Sequence, residues 1–325
     1  MGPPGNPGSR GRSYNIIPPN MCGDDVYPSY LQLYRSSELR ERIDHALALM
    51  NPCRLCPREC GVNRLAGEEG LCRTGRLAGV ASYHPHFGEE APLVGRYGSG
   101  TIFFSSCSLL CSFCQNYEIS HRKGGITIEP DQLATMMLEL AGRGCHNINF
   151  VTPTHVIPQI LEALVPAIEH GLKIPLVYNS SGYDRVETLR LLDGVFDIYL
   201  PDFKFWENRW ADRFCRAPDY REHAREAIRE MHRQVGDLEI DDRGIAVRGL
   251  LVRHLVMPEG IAGTDEIASF LSREISSGTY LNIMAQYHPC GTATDDPVID
   301  RPLRDTEFRE ALAAARRAGL SRGIE

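Results

Sequence analysis

The chain has 325 residues, of which 42% are hydrophobic and 24% are charged, and its formal net charge is −7. This length and composition are typical of a globular protein with one large domain, or one domain and an appendage. The charge provides no strong nucleic-acid-binding or membrane-binding field, and no uncharged apolar run is long enough to span a bilayer.

The chain contains 11 cysteines and does not open with a charged-then-apolar secretion leader. Cysteines that cluster in a reducing compartment indicate metal binding before they indicate disulfides. A secreted disulfide scaffold is the alternative, but the odd count and the tight spacings disfavour it. We therefore expect a cytoplasmic protein whose clustered cysteines bind metal.

The first part of the chain is predicted to contain a tail and a small lobe. Residues 1–20 are rich in glycine and proline, so we predict a disordered tail over 1–28. Leucines and isoleucines spread among charges over 29–50 predict a helix. A cysteine-rich segment follows at 53–72, and we interpret 29–95 as an N-terminal helix with a cysteine-rich metal-binding lobe.

From residue 96 onward, strand-like runs alternate with helix-like runs. This alternation predicts an α/β fold with a parallel sheet, built either as an open doubly wound sheet or as a partial barrel over 96–325. In both layouts a ligand binds beyond the carboxyl ends of the strands. The predicted strands cover 101–105, 147–151, 174–179, 196–200, 249–256 and 280–285, and the helices begin near 130, 156, 184, 219, 264 and 304.

Polar or metal-binding side chains follow every predicted strand, so we expect them to meet at one rim. The first strand leads to three cysteines within eight residues, Cys107, Cys111 and Cys114. The later strands are followed by 152–155, 179–182, Asp202 with Lys204, 257–259 and 286–288.

The spacing C-x3-C-x2-C allows Cys107, Cys111 and Cys114 to hold three irons of a [4Fe–4S] cluster. Clusters that only carry electrons are closed by a fourth cysteine, whereas an open iron can bind a small molecule. The alternatives are a zinc knuckle that lacks a ligand and a set of buried structural thiols. Structural zinc requires four ligands, and no later cysteine stands at a knuckle spacing.

The stretches 101–107 and 114–120 resemble the radical S-adenosylmethionine (SAM) core of the pyruvate formate-lyase activating-enzyme group. They are most similar to its PflX-type branch, whose substrate is generally unassigned. The strings at 87–90, 149–155 and 199–204 strengthen the resemblance, which covers about residues 50–300.

The resemblance implies a partial (β/α)6 barrel with SAM at its mouth. It places Phe113 near the adenine, and it places Thr152 or Thr154 where relatives use Gly-Gly-Glu to hold the SAM amino group. It also places Asn179, Ser180 and Ser181 at the ribose and Asp202 with Lys204 near the ligand. For each of these polar residues, a helix cap or a turn is the alternative role.

The resemblance further implies that a reduced cluster cleaves SAM to methionine and a 5′-deoxyadenosyl radical, which abstracts hydrogen from a substrate. The expected partners are SAM, a low-potential electron donor of the flavodoxin or ferredoxin type, and either a glycyl-radical enzyme or another substrate. A non-catalytic iron–sulfur electron carrier or sensor is the alternative function, and a zinc-stapled binding protein is a third.

A second cysteine group, Cys53-x2-Cys56-x3-Cys60-x11-Cys72, lies upstream of the predicted barrel. Four thiolates suit either a structural zinc ion or an auxiliary [4Fe–4S] cluster, and the spacing does not decide between them. We favour the cluster slightly, because the protein would already receive one cluster.

Overall fold

The computed structural model describes residues 27–122 and 124–324. The predicted tail therefore lies outside the described residues, apart from its last two positions. Two short helices open the described chain, α1 (Tyr30–Arg35) and α2 (Glu38–Ala48), where the sequence predicted one. The chain breaks at Ser37, whose φ of 69° is left-handed and cannot continue a helix.

The cysteine-rich segment has little regular structure, and a buried arginine organises it. A single 3-10 turn, Arg64–Ala66, is its only assigned helix among the described residues. Arg64 is 1% exposed, and its guanidinium donates to the carbonyls of Gly75 at 3.0–3.1 Å and His155 at 2.8 Å. These bonds fasten the segment to the loop after a strand of the barrel.

Three strands that the sequence analysis did not predict extend the sheet. β1 (Ala78–His86) pairs antiparallel with β2 (Ser99–Phe104), and β3 (Ile126–Ile128) pairs with β1. A two-residue strand, β7 (Glu239–Ile240), pairs antiparallel with a later strand. Residues 78–86, which were assigned to the N-terminal lobe, thus belong to the main sheet.

The remaining elements follow the predicted alternation. The strands are β4 (Ile148–Val151), β5 (Leu176–Ser180), β6 (Ile198–Pro201), β8 (Ala246–Leu255) and β9 (Tyr280–Met284). The helices are α3 (Ala91–Val94), α4 (Tyr117–Arg122), α5 (Pro130–Gly142), α6 (Ile157–Glu169), α7 (Val186–Arg190), α8 (Asn208–Cys215), α9 (Tyr220–Val235), α10 (Thr264–Phe270) and α11 (Asp305–Arg317).

Six strands run parallel in the order β2-β4-β5-β6-β8-β9. Within the described residues β9 pairs only with β8, so the barrel does not close by hydrogen bonding. The predicted α/β fold with a partial barrel is confirmed. No helix in the described part of the chain has the length and apolar character needed to cross a membrane.

The amino-terminal half of the barrel is filled by apolar side chains. Leu93 of α3 packs there with Val177, Leu200 and Leu251. Side chains two positions apart on a strand share a face. Asn179, Asp202 and Arg253, each two positions further along, therefore point into the same interior above this apolar plug.

Candidate active site

A cavity of about 490 Å³ occupies the carboxyl-terminal half of the barrel. Its walls come from the loops after β1 and β2 and from the ends of the other five parallel strands. Its volume is within the range of pockets that hold small ligands and cofactors. Its lining includes the side chains of Glu89, Glu90, Cys107, Cys111, Phe113, Cys114, Thr152, Asn179, Ser181, Asp202, Lys204, Arg253 and Asn282.

The cluster loop, which we define as residues 106–114, follows β2 and contributes its three cysteines to the cavity wall. Cys107 and Cys111 are buried, and Cys114 is half-buried. Ser106 and Leu110 adopt left-handed backbone angles of 72° and 57°, which turn the loop tightly between its thiols. The structure thus places all three thiols on the wall of one cavity.

Hydrogen bonds already point at the sulfur atoms. The Leu109 N–H lies 3.3 Å from Cys107 Sγ, and the Ser120 hydroxyl lies 3.3 Å from Cys114 Sγ. Burial raises the pKa of the Cys107 thiol to about 12, and the neighbouring Cys111 adds to the rise. Such thiols become thiolates when a metal displaces their protons, and N–H···S bonds then tune the potential of the bound cluster.

Most of the predicted SAM-contacting residues line the cavity. Phe113 is 4% exposed, and its ring packs edge-on against Phe205 with centroids 5.8 Å apart. Thr152 lines the wall in a left-handed conformation with φ of 60°. Ser181 also lines it, and its buried hydroxyl has no hydrogen-bond partner among the described residues.

Thr154 is placed differently from the other predicted residues. It is 1% exposed, does not line the cavity and donates from its hydroxyl to Asp184 Oδ1 at 2.7 Å. Tyr178 donates to the same oxygen at 2.8 Å. The hydroxyl of Thr154 is thus engaged behind the strand end, and Thr152 is the threonine that faces the cavity.

An ion network crosses the cavity and includes Arg253, which the sequence analysis missed. Asp202 Oδ2 accepts from Lys204 Nζ at 2.6 Å, and its Oδ1 accepts from Arg253 Nε at 2.8 Å. Arg253 Nη2 also donates to Asn179 Oδ1 at 2.6 Å. Burial opposes ionisation of Asp202, but the cations Arg253 and Lys204 lower its pKa overall. Burial likewise lowers the pKa of Lys204, but Asp202 and Cys111 raise it overall.

Comparisons with known proteins agree with this geometry. Residues 101–257 match the family model described as the radical SAM superfamily. The chain is 32% identical over 299 residues to the uncharacterized protein MJ0674 of Methanocaldococcus jannaschii, a match that covers 89% of this chain and 82% of that protein. The chain belongs to the radical SAM superfamily.

A solved structure, that of methylornithine synthase (PylB), aligns with a TM-score of 0.45 at 14% identity. The alignment covers 68% of this chain and 63% of that chain, so it spans less than two thirds of methylornithine synthase. The superfamily membership makes this chain an enzyme of the radical SAM class, with a [4Fe–4S] cluster and SAM as its cofactors.

The cavity residues fit these cofactors. Three thiols, two of them buried and one half-buried, line the same cavity, and hydrogen-bond donors lie 3.3 Å from the sulfur atoms of Cys107 and Cys114. The unpartnered Ser181 hydroxyl provides a polar group for a ligand in the same cavity. Phe113, held by aromatic neighbours, provides a flat apolar wall suited to an adenine ring.

The four cysteines of the second group lie close enough to affect one another's pKa. Burial raises the pKa of Cys56, and the neighbouring Cys72, Cys53 and Cys60 raise it further. The backbone N–H of Arg58 lies near the Cys56 thiol and opposes this rise in its pKa. In the described ranges no set of three or more Cys, His, Asp or Glu side chains is spaced to hold one metal ion. A single zinc ion bound at about 2.3 Å from each sulfur would therefore require these thiols to move.

Glu89 and Glu90 are the other cavity residues that the sequence analysis did not assign. They follow β1 and belong to the string at 87–90, which the sequence analysis relates only to the family resemblance. Their side chains are 8% and 6% exposed and face Arg253. The sequence feature that could have identified them is the pair of adjacent carboxylates just before the apolar residues of α3.

Proposed function

We propose that Cys107, Cys111 and Cys114 bind the open [4Fe–4S] cluster and that SAM occupies the cavity beside it. The observation that carries this proposal is the convergence of the three thiols with polar side chains from every parallel strand on one cavity. An electron carrier or sensor needs no such ligand cavity, and this is why we favour the catalytic function.

The chemistry that the bound cofactors would supply is one-electron cleavage of the SAM sulfonium, with hydrogen abstraction from the substrate by the resulting 5′-deoxyadenosyl radical. The residues of the chain bind and orient the reactants. Phe113 supports the adenine, Thr152 and Ser181 offer hydroxyls, and Asn179 is held in place by Arg253. The apolar plug around Leu93 closes the barrel below and excludes water from that side.

The resemblance to the activating-enzyme group supports a protein substrate on which a glycyl radical is made. A flavodoxin or ferredoxin type donor would supply the electron. For the second cysteine group, we propose an auxiliary iron–sulfur cluster on Cys53, Cys56, Cys60 and Cys72. Zinc is the alternative, and iron and zinc analysis of the purified protein distinguishes them.

Anaerobic reconstitution with iron and sulfide, followed by dithionite and SAM, tests the proposed function. We expect 5′-deoxyadenosine from the wild-type protein and none from Cys111→Ala. Cys145→Ala is the matched control, because Cys145 is equally buried but lies outside the cavity. Full 5′-deoxyadenosine formation by Cys111→Ala would contradict the ligand assignment, and a cluster without SAM cleavage in the wild type would favour the electron carrier.

A further inference from the structure

Glu89 and Glu90 form a pair of buried carboxylates on the wall of the cavity. The chain leaves β1 at His86, which pairs with Ser99 at the start of β2, and Glu89 and Glu90 then line the cavity. Glu90 is fixed by Asn282 of β9, whose side-chain amide donates to Glu90 Oε1 at 2.9 Å. This bond links the turn after β1 to β9.

The charges around the pair do not balance while both glutamates are ionised. Glu89, Glu90 and Asp202 give three carboxylates, whereas Lys204 and Arg253 give two cations, which leaves a formal charge of −1. His86 also lines the cavity, but burial and then the neighbouring His84 lower its pKa. It therefore does not provide the missing cation at neutral pH.

The short hydrogen bonds of Arg253 are made by its Nε and Nη2 atoms, and only its Nη1 faces Glu89. The short bonds go to Asp202 and Asn179, whereas the Glu89 and Glu90 carboxylates lie 3.5 Å and 3.9 Å from the Arg253 nitrogens. Glu90 Oε2 is buried and has no hydrogen-bond partner in residues 27–122 and 124–324. A buried carboxylate oxygen without a donor is costly, so this oxygen indicates a ligand donor.

The two carboxylates are close enough to share a proton. Burial raises the pKa of Glu89 to about 7; Arg253 opposes this rise and Glu90 adds to it. A cationic nitrogen can replace a proton shared by two carboxylates. It would satisfy both carboxylates and supply the positive charge that the proton otherwise provides.

We propose that Glu89 and Glu90 bind an ammonium group of a molecule held in the cavity. The group has two sources, the amino group of SAM or an amine on the substrate, and both present the same N–H donors. This inference rests on the proposed function, because it assumes that the cavity holds SAM and a substrate.

The test compares wild type, Glu89→Gln and Glu90→Gln, which keep side-chain shape and remove one charge. Glu41→Gln, at an exposed position on α2, is the control. Anaerobic calorimetry first measures the binding of SAM and of SAM lacking its α-amino group to the SAM-free protein. It then measures the binding of n-butylammonium and of 1-butanol to the SAM-loaded protein. Iron content and the thermal midpoint show whether each variant is folded.

Two results support the inference and separate the sources. If the amine is that of SAM, SAM affinity falls about tenfold or more in the Glu variants, while binding of the deaminated analogue is unchanged. If the amine belongs to the substrate, SAM affinity is unchanged. Butylammonium then binds the wild type about tenfold more tightly than the Glu variants, and butanol does not discriminate.

The inference is overturned if folded Glu89→Gln and Glu90→Gln bind SAM and butylammonium as Glu41→Gln does. The same preparations are assayed for 5′-deoxyadenosine. Normal SAM cleavage with unchanged binding in the Glu variants would refute only the ammonium site. Failure of the wild type to cleave SAM would refute the proposed function, while the binding measurements would still test the carboxylate pair.

Discussion

Arg58 Nε donates a 3.0 Å hydrogen bond to the carbonyl oxygen of Ser108, which lies next to Cys107 in the cluster loop. Its Nη2 donates to the carbonyls of Leu109 at 3.2 Å and Cys215 at 2.8 Å, and its Nη1 to that of Arg216. The backbone N–H of Arg58 lies near the thiol of Cys56 and lowers its pKa against the rise that burial causes. One residue therefore connects the second cysteine group to the loop that holds the first.

Replacement of Arg58 should disturb the cluster loop more than the overall fold. In Arg58→Ala the carbonyls of Ser108 and Leu109 lose their donors, and the loop is no longer held against the lobe. We expect 5′-deoxyadenosine formation to fall about tenfold to a hundredfold, because small misplacements of reacting groups have effects of this size. Arg58→Lys should recover only a small part, since a single ammonium cannot span the carbonyls that the planar guanidinium reaches.

The readout that separates positioning from folding is the EPR spectrum and the midpoint potential of the reduced cluster. Both should shift in Arg58→Ala and remain unchanged in Arg54→Ala, which removes an exposed arginine of the same segment. Unchanged spectra and potential in Arg58→Ala, with normal activity, would show that the lobe does not position the loop.

Gly291 should be as sensitive as the cysteines themselves. Its φ of 59° is left-handed, and a Cβ there would overlap the Ser112 carbonyl and the Tyr117 ring. Gly260, with φ of 65° and open space around it, is the matched control for backbone strain alone. We expect Gly260→Ala to cost about 1 kcal/mol with full iron content. Gly291→Ala should also lose iron; equal iron content in both variants would show that the loop tolerates the displacement.

The parallel core of the fold was predictable because each of its strands is an apolar run followed by a polar turn. β2, β4, β5, β6, β8 and β9 were expected within a few residues of their bounds. The three cysteines were predictable for a different reason, since their spacing is a local property of the sequence. The antiparallel strand β1 was not predicted, because Tyr83, His84, Pro85 and His86 interrupt its apolar pattern.

The ion network could not be derived from local patterns. Arg253 lies in β8 after the apolar run Leu250–Val252, and its partners Asp202 and Asn179 are 51 and 74 positions away in the chain. Only the parallel register of β5, β6 and β8 brings them together. Arg58 is similar, because its partners are the carbonyl oxygens of the backbone, which carry no sequence signature.

Asp202→Asn should destabilise the protein more than Lys204→Met does. Without the charge of Asp202, Lys204 loses its 2.6 Å partner and Arg253 keeps only its longer ion pairs to Glu89 and Glu90. Without Lys204, the Asp202 carboxylate keeps Arg253 at 2.8 Å. Breaking a buried ion pair costs about 3–5 kcal/mol, so we expect that range for Asp202→Asn and about 1–2 kcal/mol for Lys204→Met. Anaerobic urea unfolding measures both; the reverse order would mean that Arg253 does not compensate Asp202.

The acid side of the stability profile should depend on His254, which is fully buried. Its Nδ1 lies 2.7 Å from the Phe203 carbonyl and must carry the proton, because a carbonyl only accepts. Its Nε2 accepts from the Thr264 hydroxyl at 2.9 Å. Burial lowers the pKa of His254 to about 4, although the hydrogen bond to Phe203 opposes the change.

Because the unfolded chain binds the His254 proton near the ordinary pKa of about 6.5, it takes up more protons than the folded chain between pH 6.5 and 4. The contribution of His254 to stability is therefore complete above pH 6.5 and decreases as the pH falls.

His254→Asn keeps a donor for the Phe203 carbonyl but does not titrate. The free energy of unfolding of the wild type, relative to this variant, should fall by about 1 kcal/mol between pH 7.5 and 5.5. Parallel pH profiles for the two proteins would show that His254 is protonated equally in the folded and unfolded states. The comparison cancels any loss of the [4Fe–4S] cluster in acid, because both proteins carry it.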